Sequence, residues 1–197
     1  QEELGLSRDD KKFMIGIVSR LTDQKGFDLI QCVMDEICTD DVQLVVLGTG
    51  DEKYENMFRH YDWKYHDRVS AQIYYSDPLS HKIYASCDAF LMPSLFEPCG
   101  LSQLMALRYG TVPIVRETGG LKDTVWPYNE YEGTGTGFSF ANYNAHEMLN
   151  IIRYAKHIYY DRRREWNKII DRGMAVDFSW NTSAGKYQEL YDWLIGY

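Results

Sequence analysis

A carboxylate stands just before the predicted start of a helix in the middle of the chain. Glu97 lies three residues before Gly100, and the spacing of apolar residues predicts a helix over residues 99–109. The first main-chain N–H groups of a helix have no intrahelical partner and favour an anion, so we expect Gly100 and Leu101 to bind one. An acid beside such an anion site fits chemistry on a phosphorylated sugar.

Two cations follow the first predicted strand. Arg20 and Lys25 lie in a loop that ends at Gly26. Arginine can bind a diphosphate through two N–H groups, and lysine adds a compact charge. Two exposed charges in an ordinary strand-to-helix loop account for the same residues, and the residues alone favour this simpler interpretation.

Four further residues have side chains or backbones suited to a ligand. Tyr75 ends a predicted strand, where its flat ring could stack on a base, although a tyrosine packed on the sheet is a common alternative. Gly50 and Gly119 allow a ligand or another chain segment to approach the backbone closely. Thr118 can donate a hydrogen bond. The five histidines and four cysteines show no spacing typical of a metal site, so we expect neither a metal nor a cofactor.

Apolar runs alternate with helical segments along nearly the whole chain. We predict strands over residues 13–18, 42–47, 69–75, 89–92, 111–115 and 137–140. We predict helices over residues 26–38, from the turn at 48–51 to about 63, and over 79–86, 99–109, 145–160, 161–175 and 182–194. Asp77 is expected to cap the 79–86 helix, with Pro78 as its first residue. This alternation predicts an α/β fold, a Rossmann-like doubly wound parallel sheet with helices on both faces.

The composition restricts the classes of function. The net charge of −8, from 21 basic and 29 acidic residues, argues against a nucleic-acid surface. No apolar run approaches the length of a membrane span, so we expect no membrane partner. The cysteines form no Cys-x-x-Cys pair, and reduced thiols in a cytoplasmic protein are the expectation.

Four blocks of sequence carry a resemblance to a known family. They are Ser19–Gly26, Glu97-Pro-Cys-Gly-Leu, Arg116-Glu-Thr-Gly-Gly-Leu-Lys-Asp-Thr and Asp177-Phe-Ser-Trp180. Together they resemble, in the same order, the glycogen and starch synthases, which are glycosyltransferases of the GT-B fold with two facing Rossmann-like halves. The resemblance covers only the C-terminal lobe, because the N-terminal half with its acceptor-binding surface has no counterpart here.

The resemblance implies an activity and a set of site residues. The full-length enzyme would transfer glucose from ADP-glucose to the non-reducing end of an α-1,4-glucan, with retention of configuration. The implied catalytic residues are Arg20, Lys25 and Glu97, with Glu97 favoured as a support for the glucose rather than a nucleophile. Met105 occupies the position where many relatives have a second, ribose-binding glutamate, which supports the narrower assignment. The implied substrate-binding residues are Gly50, Tyr75, Cys99, Gly100, Leu101, Ser102, Thr118 and Gly119.

The resemblance also predicts the domain organisation. We expect residues 1–197 to form a single nucleotide-sugar-binding domain, with residues 178–197 as a terminal helix that docks on the N-terminal lobe. The chain alone is then expected to be inactive. Two alternatives stay open: a GT-B glycosyltransferase that uses a UDP-sugar, and a non-catalytic nucleotide- or carbohydrate-binding module.

Overall fold

Six parallel strands form one sheet at the centre of the computed structural model, which describes residues 1–196. The strands are β1 (Phe13–Val18), β2 (Val42–Leu47), β3 (Val69–Gln72), β4 (Ala89–Met92), β5 (Val112–Arg116) and β6 (Phe138–Phe140). Their order in the sheet is β3-β2-β1-β4-β5-β6, and every neighbouring pair is parallel. The predicted doubly wound α/β fold is therefore confirmed. The order reverses between β1 and β4, and such a switch point is where open α/β sheets bind ligands.

Helices cover both faces of the sheet. Successive strand residues point to opposite sides, so both faces present apolar side chains for a helix to bury. The helices are α1 (Phe27–Cys32), α2 (Met34–Thr39), α3 (Glu52–Lys64), α4 (Asp77–Ser86), α5 (Ser102–Tyr109), α6 (Gly119–Thr124), α7 (Ala145–Asp161), α8 (Arg163–Ala175) and α9 (Trp180–Ile195). Ile15 and Ile17 of β1 pack in the same cluster as residues of α1, α7 and α8. Met14, which precedes Ile15, points to the opposite face and packs with Leu79 and Ile83 of α4.

The start of α5 differs from the prediction. The helix begins at Ser102 rather than at residue 99, and Leu101 is its N-terminal flanking residue. Gly100 has a φ of 75°, which a right-handed helix does not contain. The loop after β4 is consequently three residues longer than predicted, and the first free helical N–H groups lie further along the chain.

Three other predicted boundaries were wrong. The helix predicted over 26–38 is divided at Val33, whose φ of −124° interrupts it between α1 and α2. The N-cap of α4 is Ser76, whose hydroxyl accepts a hydrogen bond from the N–H of Leu79, and not Asp77. Strand β3 ends at Gln72, because its partner strand β2 ends opposite at Leu47 and offers no further pairing.

The last helix, α9, lies apart from the core. None of its residues from Trp180 to Ile195 is buried, and Tyr187, Leu190, Tyr191, Trp193 and Leu194 are exposed apolar side chains. The predicted terminal helix over 178–197 extends to Tyr197, which lies outside the described residues. Within residues 1–196, no helix combines the length and the hydropathy needed to cross a bilayer.

Candidate functional site

Five loops leave the carboxyl ends of the strands on one edge of the sheet. They comprise residues 19–26 after β1, 48–51 after β2, 73–76 after β3, 93–101 after β4 and 117–118 after β5. All the site residues predicted from the sequence lie on these loops or at the first residue of the helix that follows. The parallel sheet therefore brings them to one edge, as the order of the predicted elements implied.

Glu97 and Lys25 form an ion pair at the switch point of the sheet. The Nζ of Lys25, after β1, lies 2.5 Å from Oε2 of Glu97, after β4. The side chains are only 18% and 9% exposed, and the hydroxyl of Ser94 donates to the same carboxylate oxygen at 3.4 Å. Removing an ion from water costs free energy. In this largely solvent-excluded position, each charge of the pair offsets part of that cost for the other.

The loop after β1 is attached to the loop that carries Glu97. The N–H of Leu95 donates to the carbonyl of Gln24 at 2.9 Å, and the side-chain amide of Gln24 donates to the carbonyl of Phe96 at 3.4 Å. A Cβ atom on Gly26 would lie 2.0 Å from the carbonyl oxygen of Pro93. Gly26 thus permits the contact that brings Lys25 within reach of Glu97.

The first two residues of α6 support the same segment. The N–H of Gly120 donates to the carbonyl of Glu97 at 3.1 Å. A Cβ atom on Gly119 would lie 2.1 Å from that carbonyl oxygen, and one on Gly120 would lie 2.0 Å from the carbonyl oxygen of Cys99. In this structure the two glycines therefore serve the contact between two chain segments. Thr118 precedes them as the N-terminal flanking residue of α6, without a capping hydrogen bond from its side chain.

The N-terminus of α5 offers unpaired main-chain donors beside the ion pair. Within residues 1–196, the N–H groups of Gly100, Leu101 and Ser102 donate to no main-chain or side-chain acceptor. Ser102 and Lys25 line the same narrow crevice, of about 30 Å³. The free N–H groups and the helix dipole favour an anion at this position.

Gln103 is a supporting residue that the sequence reasoning missed. It is fully buried, and its side-chain amide donates to the carbonyls of Cys99 and Gly100 and to the hydroxyl of Thr124. Gln103 therefore holds the turn that precedes α5. The available signal was a polar residue at a position of α5 that the helical period places against the core.

A larger crevice opens beside the loops after β1, β2 and β3. It has a volume of about 240 Å³, and Arg20, Thr49, Tyr75 and Asp77 are among its lining residues. Arg20 forms no ion pair within the described part of the chain, so its charge is available to a ligand. The ring of Tyr75 is 86% exposed at the rim, not packed on the sheet.

Gly50 is engaged by the protein itself. Its N–H donates to Oε1 of Glu55 at 3.0 Å, and this hydrogen bond is the main reason why the pKa of Glu55 lies below its ordinary value. A Cβ atom on Gly50 would lie 2.3 Å from the carbonyl oxygen of Leu21. The glycine thus joins the loops after β1 and β2, and its predicted contact with a substrate stays a prediction.

The four cysteines are free thiols in two environments. Cys32 and Cys99 are exposed, whereas Cys38 and Cys87 are buried. Burial raises the pKa of both Cys38 and Cys87 to about 12, so these two thiols are unreactive in the folded protein. Residues 1–196 contain no group of three or more His, Cys, Asp or Glu side chains arranged to hold a metal ion.

The arrangement of these loops at a switch point agrees with the match to a protein family. The family model described as glycosyl transferases group 1 matches residues 5–171. The chain belongs to this family. The sequence is 79% identical over 192 residues to a glycogen synthase of Lachnospira eligens and 56% identical over 191 residues to one of Clostridium acetobutylicum. These matches cover 98% and 97% of this chain but only 40% of each relative.

A solved structure of a related enzyme shares the fold. The catalytic domain of starch synthase IV from Arabidopsis thaliana, bound to ADP and acarbose, matches with a TM-score of 0.87 and 33% identity. The match covers all of this chain and 41% of that one. The resemblance to glycogen and starch synthases that the four sequence blocks carried is therefore confirmed, and the chain spans about two fifths of the length of such proteins.

Proposed function

We propose that this chain is the donor-binding, C-terminal lobe of a glycogen synthase. In the full-length enzyme it would act in the retaining transfer of glucose from ADP-glucose to the non-reducing end of an α-1,4-glucan. The observation that carries the proposal is the contact between Lys25 and Glu97 at the switch point of the sheet. This contact joins a carboxylate to a cation, and Lys25 also lines the crevice of about 30 Å³ together with Ser102, whose N–H group has no acceptor in residues 1–196.

The diphosphate of the donor would bind between Arg20 and the N-terminus of α5. Arg20 has no ion-pair partner within residues 1–196 and lines the larger crevice. The N–H groups of Gly100, Leu101 and Ser102 would donate hydrogen bonds to phosphate oxygens, and Cys99 would lie beside them. Negative charge grows on the diphosphate as it leaves, and donors fixed in advance stabilise such charge without reorganisation. Lys25 has three N–H donors, so it can contact a phosphate while it remains bound to Glu97.

Glu97 would hold the glucose as a hydrogen-bonding and electrostatic support. Its carboxylate is already bound by Lys25 and Ser94, and both contacts withdraw electron density that a nucleophile needs. The leaving phosphate and the acceptor hydroxyl can meet on one face of the sugar, which retains its configuration without a covalent intermediate on the enzyme. Thr118 and Gly119, beside the Glu97 segment, are proposed as further contacts to the donor.

The adenine would stack on Tyr75 at the rim of the larger crevice. Tyr75 is 86% exposed, so its ring is accessible to a ligand, and a base offers it a flat face. The starch synthase IV catalytic domain was solved with ADP bound, which supports an adenine nucleotide as the donor. We assign Gly50 to the same subsite, where its role is to hold the loop after β2 in place.

The acceptor glucan and the rest of the active site belong to a second lobe. The exposed apolar side chains of α9 support docking of residues 178–196 on that lobe. Closure of the two lobes would exclude water, which would otherwise hydrolyse the donor. The proposal therefore includes an inactive isolated chain, a cytoplasmic enzyme, no metal or organic cofactor, and no nucleic-acid or membrane partner.

Calorimetric titration of the 197-residue chain with ADP and with UDP tests the donor assignment. Arg20→Ala should weaken ADP binding by about 10-fold or more, because a hydrogen bond to a charged group contributes roughly 1.5–3 kcal/mol. Arg164→Ala is the matched control, since Arg164 is also exposed and belongs to no ion pair in residues 1–196. A preference for UDP would overturn the proposed donor.

The full-length enzyme provides the second measurement. It should transfer labelled glucose from ADP-glucose to glycogen, while the 197-residue chain should not. Absence of transfer by the full-length enzyme would refute the synthase assignment. Glucan binding by this chain that needs no nucleotide and is unchanged by Glu97→Ala would favour a binding module instead.

A further inference from the structure

All three guanidinium nitrogens of Arg116, the last residue of β5, donate hydrogen bonds to main-chain carbonyls. Its Nε donates to the carbonyl of Ser94 at 2.7 Å, one terminal nitrogen donates to the carbonyl of Leu95, and the other donates to the carbonyl of Ala141 at 3.3 Å. No carboxylate forms an ion pair with Arg116 in the described residues. The ring of Tyr143 lies over the guanidinium, 5.6 Å from its central carbon.

Two of these three carbonyls belong to the segment that carries Glu97. Ser94 and Leu95 lie three and two residues before it, and Ser94 is buried. The peptide group between Ser94 and Leu95 is also held on its opposite side, where the N–H of Leu95 donates to the carbonyl of Gln24. Arg116 and the loop after β1 thus fix the same short segment from two directions.

A planar guanidinium is suited to this geometry. Its N–H groups diverge in a fixed fork, which allows one side chain to bind carbonyls from separate chain segments. Lysine has a single nitrogen and cannot occupy the same three positions. Without Arg116, the carbonyl of the buried residue Ser94 loses its donor. A buried acceptor without a donor destabilises the folded protein, which favours a movement of the segment towards another partner.

We propose that Arg116 is a positioning residue that sets the location of the Glu97 carboxylate against Lys25. The inference rests on the proposed function only for its catalytic consequence. A displacement of about 1 Å in a catalytic group can lower a rate by roughly 100-fold. Arg116 itself does not touch the donor; it acts through the peptide groups of Ser94 and Leu95.

Kinetics of the full-length enzyme test the catalytic consequence. Arg116→Gln should lower kcat by about 10- to 100-fold and change KM for ADP-glucose by less than about 3-fold. Arg116→Lys should recover only part of the loss. Arg172→Gln is the matched control, because Nε of Arg172 donates to the carbonyl of Gly135 at the same 2.7 Å, away from the loops of the site. Its kcat should be unchanged.

A second measurement does not depend on activity. The coupling free energy between Lys25 and Glu97 is obtained from urea unfolding of the 197-residue chain and its Lys25→Met, Glu97→Gln and double variants. The cycle is then repeated in the Arg116→Gln and Arg116→Lys backgrounds. If Arg116 positions the carboxylate, the coupling should fall by at least about half in the Arg116→Gln background, and less in the Arg116→Lys background.

The two measurements separate the possible failures. An unchanged Lys25–Glu97 coupling in both Arg116 backgrounds would overturn the positioning role, whatever the activity. A kcat for Arg116→Gln equal to that of Arg172→Gln would overturn it as well. If the full-length enzyme transfers no glucose but the Lys25–Glu97 coupling in the 197-residue chain still depends on Arg116, the proposed function is refuted and the positioning role remains supported.

Discussion

Removal of one charge from the Lys25–Glu97 pair should destabilise the protein. Lys25→Met keeps most of the side-chain volume and removes the ammonium group, so Glu97 is left as an unpaired carboxylate that is only 9% exposed. Loss of one partner from a fully buried pair costs about 3–5 kcal/mol. Because Lys25 is 18% exposed and water can reach part of the site, we expect a loss of about 2–3 kcal/mol.

Thermal and urea unfolding of the 197-residue chain measure this loss. For a domain of this size the expected change corresponds to a fall in Tm of roughly 4–12 °C. Lys53→Met is the matched control. Lys53 pairs with Asp23 at 2.6 Å, nearly the same distance, but the side chains of that pair are 54% and 66% exposed. Exposed ion pairs contribute little to stability, so this control should lose much less.

A second substitution distinguishes an unpaired charge from lost packing. Glu97→Gln in the Lys25→Met background removes the uncompensated carboxylate and should restore most of the stability. Equal losses for Lys25→Met and Lys53→Met would refute the argument that burial determines the cost. A double variant no more stable than Lys25→Met would show that the loss comes from packing of the lysine stem and not from the stranded charge.

Two further predictions concern the backbone and the titration of a partly buried acid. Gly120→Ala should lower the free energy of unfolding by roughly 2 kcal/mol or more, because the new Cβ would lie 2.0 Å from the carbonyl oxygen of Cys99. A Cβ atom on Gly185 in α9 would meet no atom within 4 Å, so Gly185→Ala should instead raise the free energy of unfolding by roughly 0.5–1 kcal/mol. Urea unfolding measures both changes. Changes of the same sign in the two variants would contradict the packing argument. Burial raises the pKa of Asp88 in the folded protein above its ordinary value of 3.8. Between these two pKa values the folded protein binds more protons than the unfolded chain, so the free energy of unfolding falls as the pH rises through that interval. Asp88→Asn keeps an oxygen for the N–H of Met14, and its stability relative to the unmodified protein should therefore increase as the pH rises above the ordinary carboxyl pKa of 3.8. A difference independent of pH in a series of unfolding curves would contradict the expected titration.

The apolar pattern predicted the sheet well and the ends of several helices poorly. Strands β1, β2 and β4 have the predicted bounds, since buried parallel strands are short apolar runs with polar, glycine or proline residues on both sides. Residues 73–75 continue the apolar pattern beyond β3, but pairing requires a partner and β2 ends at Leu47. Periodicity describes one element at a time, whereas the end of a strand depends on its neighbour.

The start of α5 shows a second limit of sequence patterns. Apolar spacing extended the helix back to residue 99, whereas Gly100 adopts a left-handed conformation that ends the preceding turn. A glycine near a predicted helix start is compatible with either conformation. The contacts of Gln103 with the carbonyls of Cys99 and Gly100 help to hold the observed one, and they depend on the folded loop.

The residues of the site were easier to predict than their relations. Arg20, Lys25 and Glu97 were each expected at the ligand edge, and each lies there. The ion pair between Lys25 and Glu97, 72 positions apart, could not be predicted, because it depends on contacts that bring two loops together. Those contacts involve Gln24 and Gly26, whose types do not suggest a site by themselves.

The ion pair also determines how charge is distributed for an anionic ligand. Lys25 is neutralised by Glu97, while Arg20 and the N–H groups of Gly100, Leu101 and Ser102 have no acceptor in residues 1–196. A diphosphate would therefore meet one unpaired cation and a set of main-chain donors first, and its contact with Lys25 would be shared with Glu97. A phosphate that draws on Lys25 weakens the hold of Lys25 on the carboxylate. Under the proposed function, occupation of the diphosphate site would be coupled to the freedom of Glu97 to hydrogen-bond a sugar, and this coupling would need no movement of the sheet.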